Sequence, residues 1–207
     1  MNNNYYNYTK KRFAFWAKFY DYTWLPINYL RKKTVDFCNL SKTQNILDVA
    51  TGTGKLAAEF AKNINIKITG LDLSADMIVE AKKKYQQANL KFIVGDSTQM
   101  PFQDESFDLI TISFALHEMP LEIAQKTILE IKRVLKKDGQ FVIIDFTKNK
   151  KFLNILSYPF IKLFECQYYA PYLKFDLQNF LQQNGMIIKE EKLTLFSIAK
   201  LIKINKI

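Results

Sequence analysis

"NILDVATGTGKLAAEF", residues 45–60, is a short β-rich run that ends on two glycines one residue apart and passes into a helical stretch. The same rhythm recurs along the chain. "IKITGLDLS" (66–74) reads as a second strand ending in an acid, and Ser74 is placed to cap the helix "ADMIVEAKKKYQQA". "LKFIVGDS" (90–97) is a third strand, again closed by an acid. "FDLITISFALHEM" contains a fourth. "AQKTILEIKRVLKKDG" is an amphipathic helix that Gly139 is expected to close, and "QFVIIDFTK" is a fifth strand. Alternating elements with near-continuous apolar strands imply an α/β fold with a parallel sheet covered on both faces. The tail adds a helix near 174–184, a glycine turn at 185 and two more strands. The expected architecture is therefore a Rossmann-like, seven-stranded, mostly parallel sheet with helices on both faces. Residues 10–40, broken near Pro26, read as a helical segment before it. The expected division is an aromatic cap over 1–44 and one globular unit over 45–207.

Composition narrows the class. At 207 residues, 48% hydrophobic and 24% charged, the chain suits one folded domain. Cys38 and Cys166 form no C-x-x-C pair, and no metal-ligand spacing occurs, so neither a disulfide framework nor a metal site is expected. The first residues lack the apolar core of a secretory signal. The most apolar stretch, "FLNILSYPFIKLFECQYYAPYL" (152–173), is interrupted by Pro159, Lys162 and Glu165, so a membrane span is not expected. A cytoplasmic protein is the expectation. The net charge of +10 is uneven: both flanks are basic and the middle slightly acidic, and twelve of the thirty aromatic residues lie in the first 44 positions. Solvated lysine-rich helix faces account for this, and so does attraction to an anionic membrane surface or a nucleic acid.

Three kinds of glycine loop compete. A phosphate-gripping NTPase loop needs G-x-x-x-x-G-K-[ST]; anchored on Gly54-Lys55, it meets Val49 and Leu56 where a glycine and a hydroxyl belong. A nicotinamide loop fits better, with Gly52-x-Gly54-x-x-Ala57 and Asp72 twenty residues on. Asp48 in the first strand, the long aromatic segment before it and the absence of room for a second domain count against it. An S-adenosylmethionine (AdoMet) site uses all the signals. It expects an acid in the first strand, a small-residue loop, an acid ending strand two for the ribose hydroxyls, and a Gly-Asp pair after strand three for the adenine. "LDVATGTG", "LDLS" and "VGDS" supply these in order.

With "AKFYD" (17–21), "LDLSADMI", "VGDSTQMPFQDESFDLITISFALHEM" and "RVLKKDGQFVIIDFTK", the chain resembles the class I AdoMet-dependent methyltransferases. Within them it is similar to the ubiquinone/menaquinone biosynthesis C-methyltransferase family, of the type 11 methyltransferase domain. The resemblance implies AdoMet as cofactor and a binding set of Asp48, Ala50, Thr51, Gly52, Thr53, Gly54, Asp72, Leu73, Met77, Asp96, Ser97 and Ser113. Tyr20 would close over the site. Where that family usually carries an Arg-Asn pair after strand four, this chain has His117-Glu118, so the acceptor side differs.

The expected activity is methyl transfer to a small hydrophobic acceptor, a quinone precursor or a lipid-like molecule. His117, the only histidine, lies just past strand four and is the candidate base or hydrogen-bond partner of the acceptor. Lys148, Lys150 and Lys151 before the 152–173 stretch suggest peripheral contact with anionic membrane. The alternatives are an RNA-modifying methyltransferase, encouraged by the charge but lacking an RNA-binding module, and a non-catalytic partner protein of the same fold.

Overall fold

The computed structural model describes residues 3–18, 21, 27–38, 40–147, 168–194 and 199–207. Tyr20, Tyr22, Trp24, Cys166 and the lysine-flanked stretch 148–167 lie outside the described residues. Two helices come first, α1 (Asn3–Trp16) and α2 (Ile27–Phe37). β1 (Asn45–Val49), α3 (Lys55–Phe60), β2 (Lys67–Asp72), α4 (Ala75–Lys84) and β3 (Leu90–Val94) succeed them. Then come β4 (Phe107–Ser113), α5 (Leu121–Val134), β5 (Leu135–Phe146), α6 (Tyr169–Lys174), α7 (Leu177–Gln183), β6 (Met186–Thr194) and β7 (Ala199–Lys206). The first helix thus starts seven residues earlier than the sequence pattern suggests.

The seven strands form one sheet in the order β3-β2-β1-β4-β5-β7-β6. The five strands from β3 to β5 run parallel, β7 alone runs antiparallel to them beside β5, and β6 pairs antiparallel with β7 and so points the same way as the five. Strand side chains alternate between two cores, as a period of two requires. Leu47, Val49, Ile110, Ile112, Phe141 and Ile143 face α5 and α7. Ile46, Leu109, Val142 and Ile144 face α2, α3 and α4. α5 buries Ile123, Ala124, Thr127, Ile128, Ile131 and Val134 at helical spacing. In α4, Ser74 accepts from Met77 N at 3.4 Å, while Asp76 in the first turn and Lys82–Lys84 in the last complement the helix dipole.

Gly139 does not cap α5. The helix stops at Val134, Leu135 turns extended and pairs with Phe107, and the chain enters β5 before reaching the glycine. Leu135 is wholly buried, so sheet burial there outweighs the helical spacing of "RVLKK". Among the described residues no helix is long and apolar enough to cross a membrane.

Candidate functional site

The strand order reverses between β1 and β4, which opens a crevice beyond the carboxyl ends of the parallel strands. The loop after β1 turns sharply to reach it. Ala50, Gly52 and Gly54 all have positive φ, at 52°, 57° and 80°. Thr51 N donates to Leu71 O at 3.0 Å and Gly54 N to Thr51 O at 3.0 Å, which fastens the turn to β2. A Cβ on Gly54 would sit 2.5 Å from the tip of the Phe92 ring, which would have to shift, and φ of 80° itself favours glycine. Ala50 accepts left-handed strain at the crevice, where such strain is commonly held by surrounding structure.

Three carboxylates edge the crevice, and two of them, Asp72 and Asp96, follow strand ends. Asp72, at the end of β2, accepts from Gly52 N on one oxygen and Ser74 N on the other, each at 2.8 Å. Burial raises its pKa against those backbone donors. Asp96, after β3, accepts from Thr98 N and Thr98 Oγ1 through the same oxygen, both at 2.8 Å. Tyr6 of α1 reaches the Thr98 hydroxyl at 3.3 Å, and the Ser97 hydroxyl pairs with Thr127 at 2.8 Å.

The cavity wall brings together Ala50, Gly52, Asp72, Leu73, Met77, Asp96, Ser97 and Ser113 of the sequence-predicted set. Asp48, Thr51, Thr53 and Gly54 sit behind it. Asp48 lies under the loop, taking hydrogen bonds from Thr51 at 2.6 Å and Thr111 at 2.7 Å. Burial raises its carboxyl to about 6, with the Thr bonds opposing and the Asp72 charge adding. Thr53 turns away and donates to Asp21 at 2.7 Å. Asp21, the acid of "AKFYD", also pairs with Lys55 at 3.1 Å and Lys84 at 2.8 Å. Burial works to raise its pKa, but the Lys84, Thr53 and Lys55 contacts lower it overall. The N-terminal segment is thereby tied to the glycine loop. Tyr20 itself is outside the described residues.

His117 is buried in a 3₁₀ turn (Leu116–Glu118), and its ring is not part of the cavity wall. Nδ1 lies 2.5 Å from Asp145 Oδ1, and Nε2 is 3.7 Å from Glu118 Oε1. Asp145 is fully buried, and its second oxygen has no hydrogen-bond partner among the described residues. Burial pushes the imidazole pKa down, yet the charge and hydrogen bond of Asp145, helped by Glu118, raise it above 6.5. Glu118, not His117, carries a charge to the wall, and Arg12 of α1 holds it.

The wall residues that the sequence pattern does not reveal come mostly from two places, α1 (Tyr5, Tyr6, Thr9 and Phe13) and the segment after β4. Positions 5, 9 and 13 share one helical face, a signal present in the sequence but silent about what that face covers. Phe114, with φ 50°, joins Ala115, Met119 and Ile123 in an apolar stretch of wall around Glu118.

A family model described as "Methyltransferase domain" matches residues 46–139. A demethylmenaquinone methyltransferase of Thermotoga maritima is 34% identical over 175 residues, covering 78% of this chain and 75% of that protein. A ubiquinone/menaquinone biosynthesis C-methyltransferase of Rickettsia bellii is 40% identical over 118 residues, or 53% of this chain and 47% of that one. The chain therefore spans about half the length of such curated relatives. In structure it is similar to the putative methyltransferase solved with the Haloferax volcanii Trm112 methyltransferase activator. The TM-score is 0.72 at 18% identity, over 94% of this chain and 96% of that one.

Proposed function

The chain belongs to the class I AdoMet-dependent methyltransferases, and from that premise we propose that it transfers a methyl group from AdoMet to a small hydrophobic acceptor, a quinone precursor or lipid-like molecule. One observation carries the reading: the left-handed Ala50–Gly54 turn, Asp72 and Asp96 converge on a single crevice at the sheet's switch point. The residues present fit the cofactor. Gly52 N and Ser74 N each engage a different Asp72 oxygen, and the carboxylate keeps lone pairs for ribose hydroxyls. Both Thr98 hydrogen bonds to Asp96 fall on Oδ1, leaving Oδ2 to accept from an adenine amine. The backbone at Ala50 and Gly52 admits close approach by the methionine portion.

When bound, AdoMet supplies an activated methyl carbon on a sulfonium. The chain's part is to align the acceptor and exclude water. Phe13, Phe114, Ala115, Met119 and Ile123 suit an aromatic or aliphatic partner. Glu118 is placed to accept a hydrogen bond from it, and His117 acts from behind as a positioning residue, clamped between Asp145 and Glu118. The names of the quinone-methylating relatives support the acceptor class, while the His117-Glu118 pair marks a different acceptor side.

Calorimetric titration with AdoMet tests the cofactor reading. Asp72→Ala is expected to weaken binding about 10- to 100-fold, the worth of charge-assisted hydrogen bonds; unchanged affinity would sink it. A screen with labelled AdoMet against quinol, lipid and RNA extracts identifies the acceptor. The +10 charge keeps RNA in that screen as the second reading.

A further inference from the structure

α1 has two faces with different chemistry. The inner face, Tyr5, Tyr6, Thr9 and Phe13, roofs the crevice. The outer face runs Asn4, Tyr8, Lys11, Phe15 and on to Lys18, at alternating spacings of four and three, with Lys10 beside it. All six are exposed, Tyr8 at 43% and Phe15 at 71%. Phe15 stands edge-on to Trp16 at 5.5 Å, so an aromatic pair occupies the outer surface. The helix contains no acid. α4 lies alongside and continues the pattern with exposed Val79, Lys82 and Lys83. Its acids are Asp76 and Glu80, and Lys83 engages Glu80 at 2.9 Å.

We propose that the outer face of α1 is a docking surface for an anionic lipid bilayer, so that the roof of the methyl-transfer crevice rests on the membrane. Two kinds of force act at such a surface. Lysines are drawn to anionic headgroups, and aromatic rings settle at the boundary between headgroup and acyl chain. Lys10, Lys11 and Lys18 supply the first, and Phe15 with Tyr8 and Trp16 the second. The shape favours a plane over a polynucleotide. Single-stranded nucleic acid is bound in a basic groove that tracks its backbone, whereas α1 offers one convex ridge. The most exposed ring, Phe15, carries no polar atom, which suits acyl chains. Because both faces belong to one rigid helix, docking would hold the crevice mouth at the layer where an apolar acceptor dissolves. This extends the proposed acceptor class, but lipid binding is measurable without any acceptor.

The experiment is co-sedimentation of the full chain with phosphatidylcholine vesicles, with and without phosphatidylglycerol, at low and high salt. AdoMet titration accompanies every variant. The protein is expected to sediment with the anionic vesicles at low salt and to be released by high salt. Neutralising two lysines, Lys10→Gln with Lys11→Gln, is expected to weaken binding about thirtyfold. Phe15→Ser is expected to weaken it with the salt dependence unchanged. AdoMet affinity should be the same in all, which also shows that each variant is folded. The proposal is overturned if neutral vesicles capture the protein equally, if anionic vesicles do not capture it at low salt, or if the variants bind like the parent. Tighter retention on single-stranded RNA, lost in the same variants, overturns it too. Loss of AdoMet binding in the parent would instead strike the cofactor reading alone.

Discussion

His117 is the only histidine, so a single imidazole signal reports its titration by NMR. Desolvation lowers its pKa, and Asp145 and Glu118 raise it to a net value above 6.5. The charged ring is thus favoured by the fold. That contribution is complete below pH 6.5 and is lost as pH rises through the raised value. Asp145→Asn removes the main raising cause and leaves desolvation opposed by the Glu118 charge, so the signal is expected to titrate lower than in the parent; a titration unmoved by this change would refute the clamp. Asp48 has the same sign for a different reason. Its carboxyl is raised from 3.8 to about 6, chiefly by burial, so the fold prefers it neutral. Its share of stability is full below about pH 4 and is lost as pH climbs through about 6, on the order of 2–3 kcal/mol. Urea unfolding of the parent and Asp48→Asn between about pH 4 and 6, below the range in which His117 loses its proton, should show a steeper downward slope in the parent than in the variant. Of these residues, Asp48 and His117 were both visible in the sequence as candidates. Their contacts were not: the His117–Asp145 pair depends on β4 and β5 lying parallel, with Ser113 opposite Ile144.

Among the elements, the glycine turn was the most legible. Its signals are local: an apolar strand, small residues where φ is positive, and an acid at the end of the next strand. Even so, part of the reason position 54 favours glycine lies elsewhere, in the Phe92 ring of β3. Gly54→Ala combines a 2.5 Å contact with a left-handed backbone. It is expected to cost on the order of 2–3 kcal/mol in urea unfolding and to weaken AdoMet binding as the turn shifts. Full stability would show that the ring can move aside at little cost. α1 was the least legible element. Its sequence declares an aromatic helix, but helical spacing cannot say which partner a face meets. The tie through Asp21 to Thr53, Lys55 and Lys84, and the Arg12–Glu118 pair, join positions 32 to 106 residues apart. The end of α5 misled for the opposite reason. "RVLKKDG" has good helical spacing, and burial of Leu135 beside Phe107 overrides it.

At the scale of the whole molecule, the crevice joins parts that fold from distant sequence: the ends of β1 to β4 below and α1 above. A ligand held there by Asp72 and Asp96 binds only the folded chain, so it stabilises the entire cooperative unit rather than one loop. At roughly a hundredfold excess over its dissociation constant, AdoMet would add about 2.7 kcal/mol. For a chain of 207 residues that corresponds to a rise in Tm of roughly 5–10 °C. A nicotinamide dinucleotide at the same concentration is the informative control, because Gly52-x-Gly54-x-x-Ala57 with Asp72 also satisfies the local pattern of that cofactor's loop. What separates the two is global. Asp48 occupies the first strand beneath the turn, and α1 closes over a crevice within one sheet-centred body. AdoMet is therefore expected to raise Tm by that amount and the dinucleotide to leave it unchanged. A shift with the dinucleotide alone would assign the crevice to hydride chemistry instead.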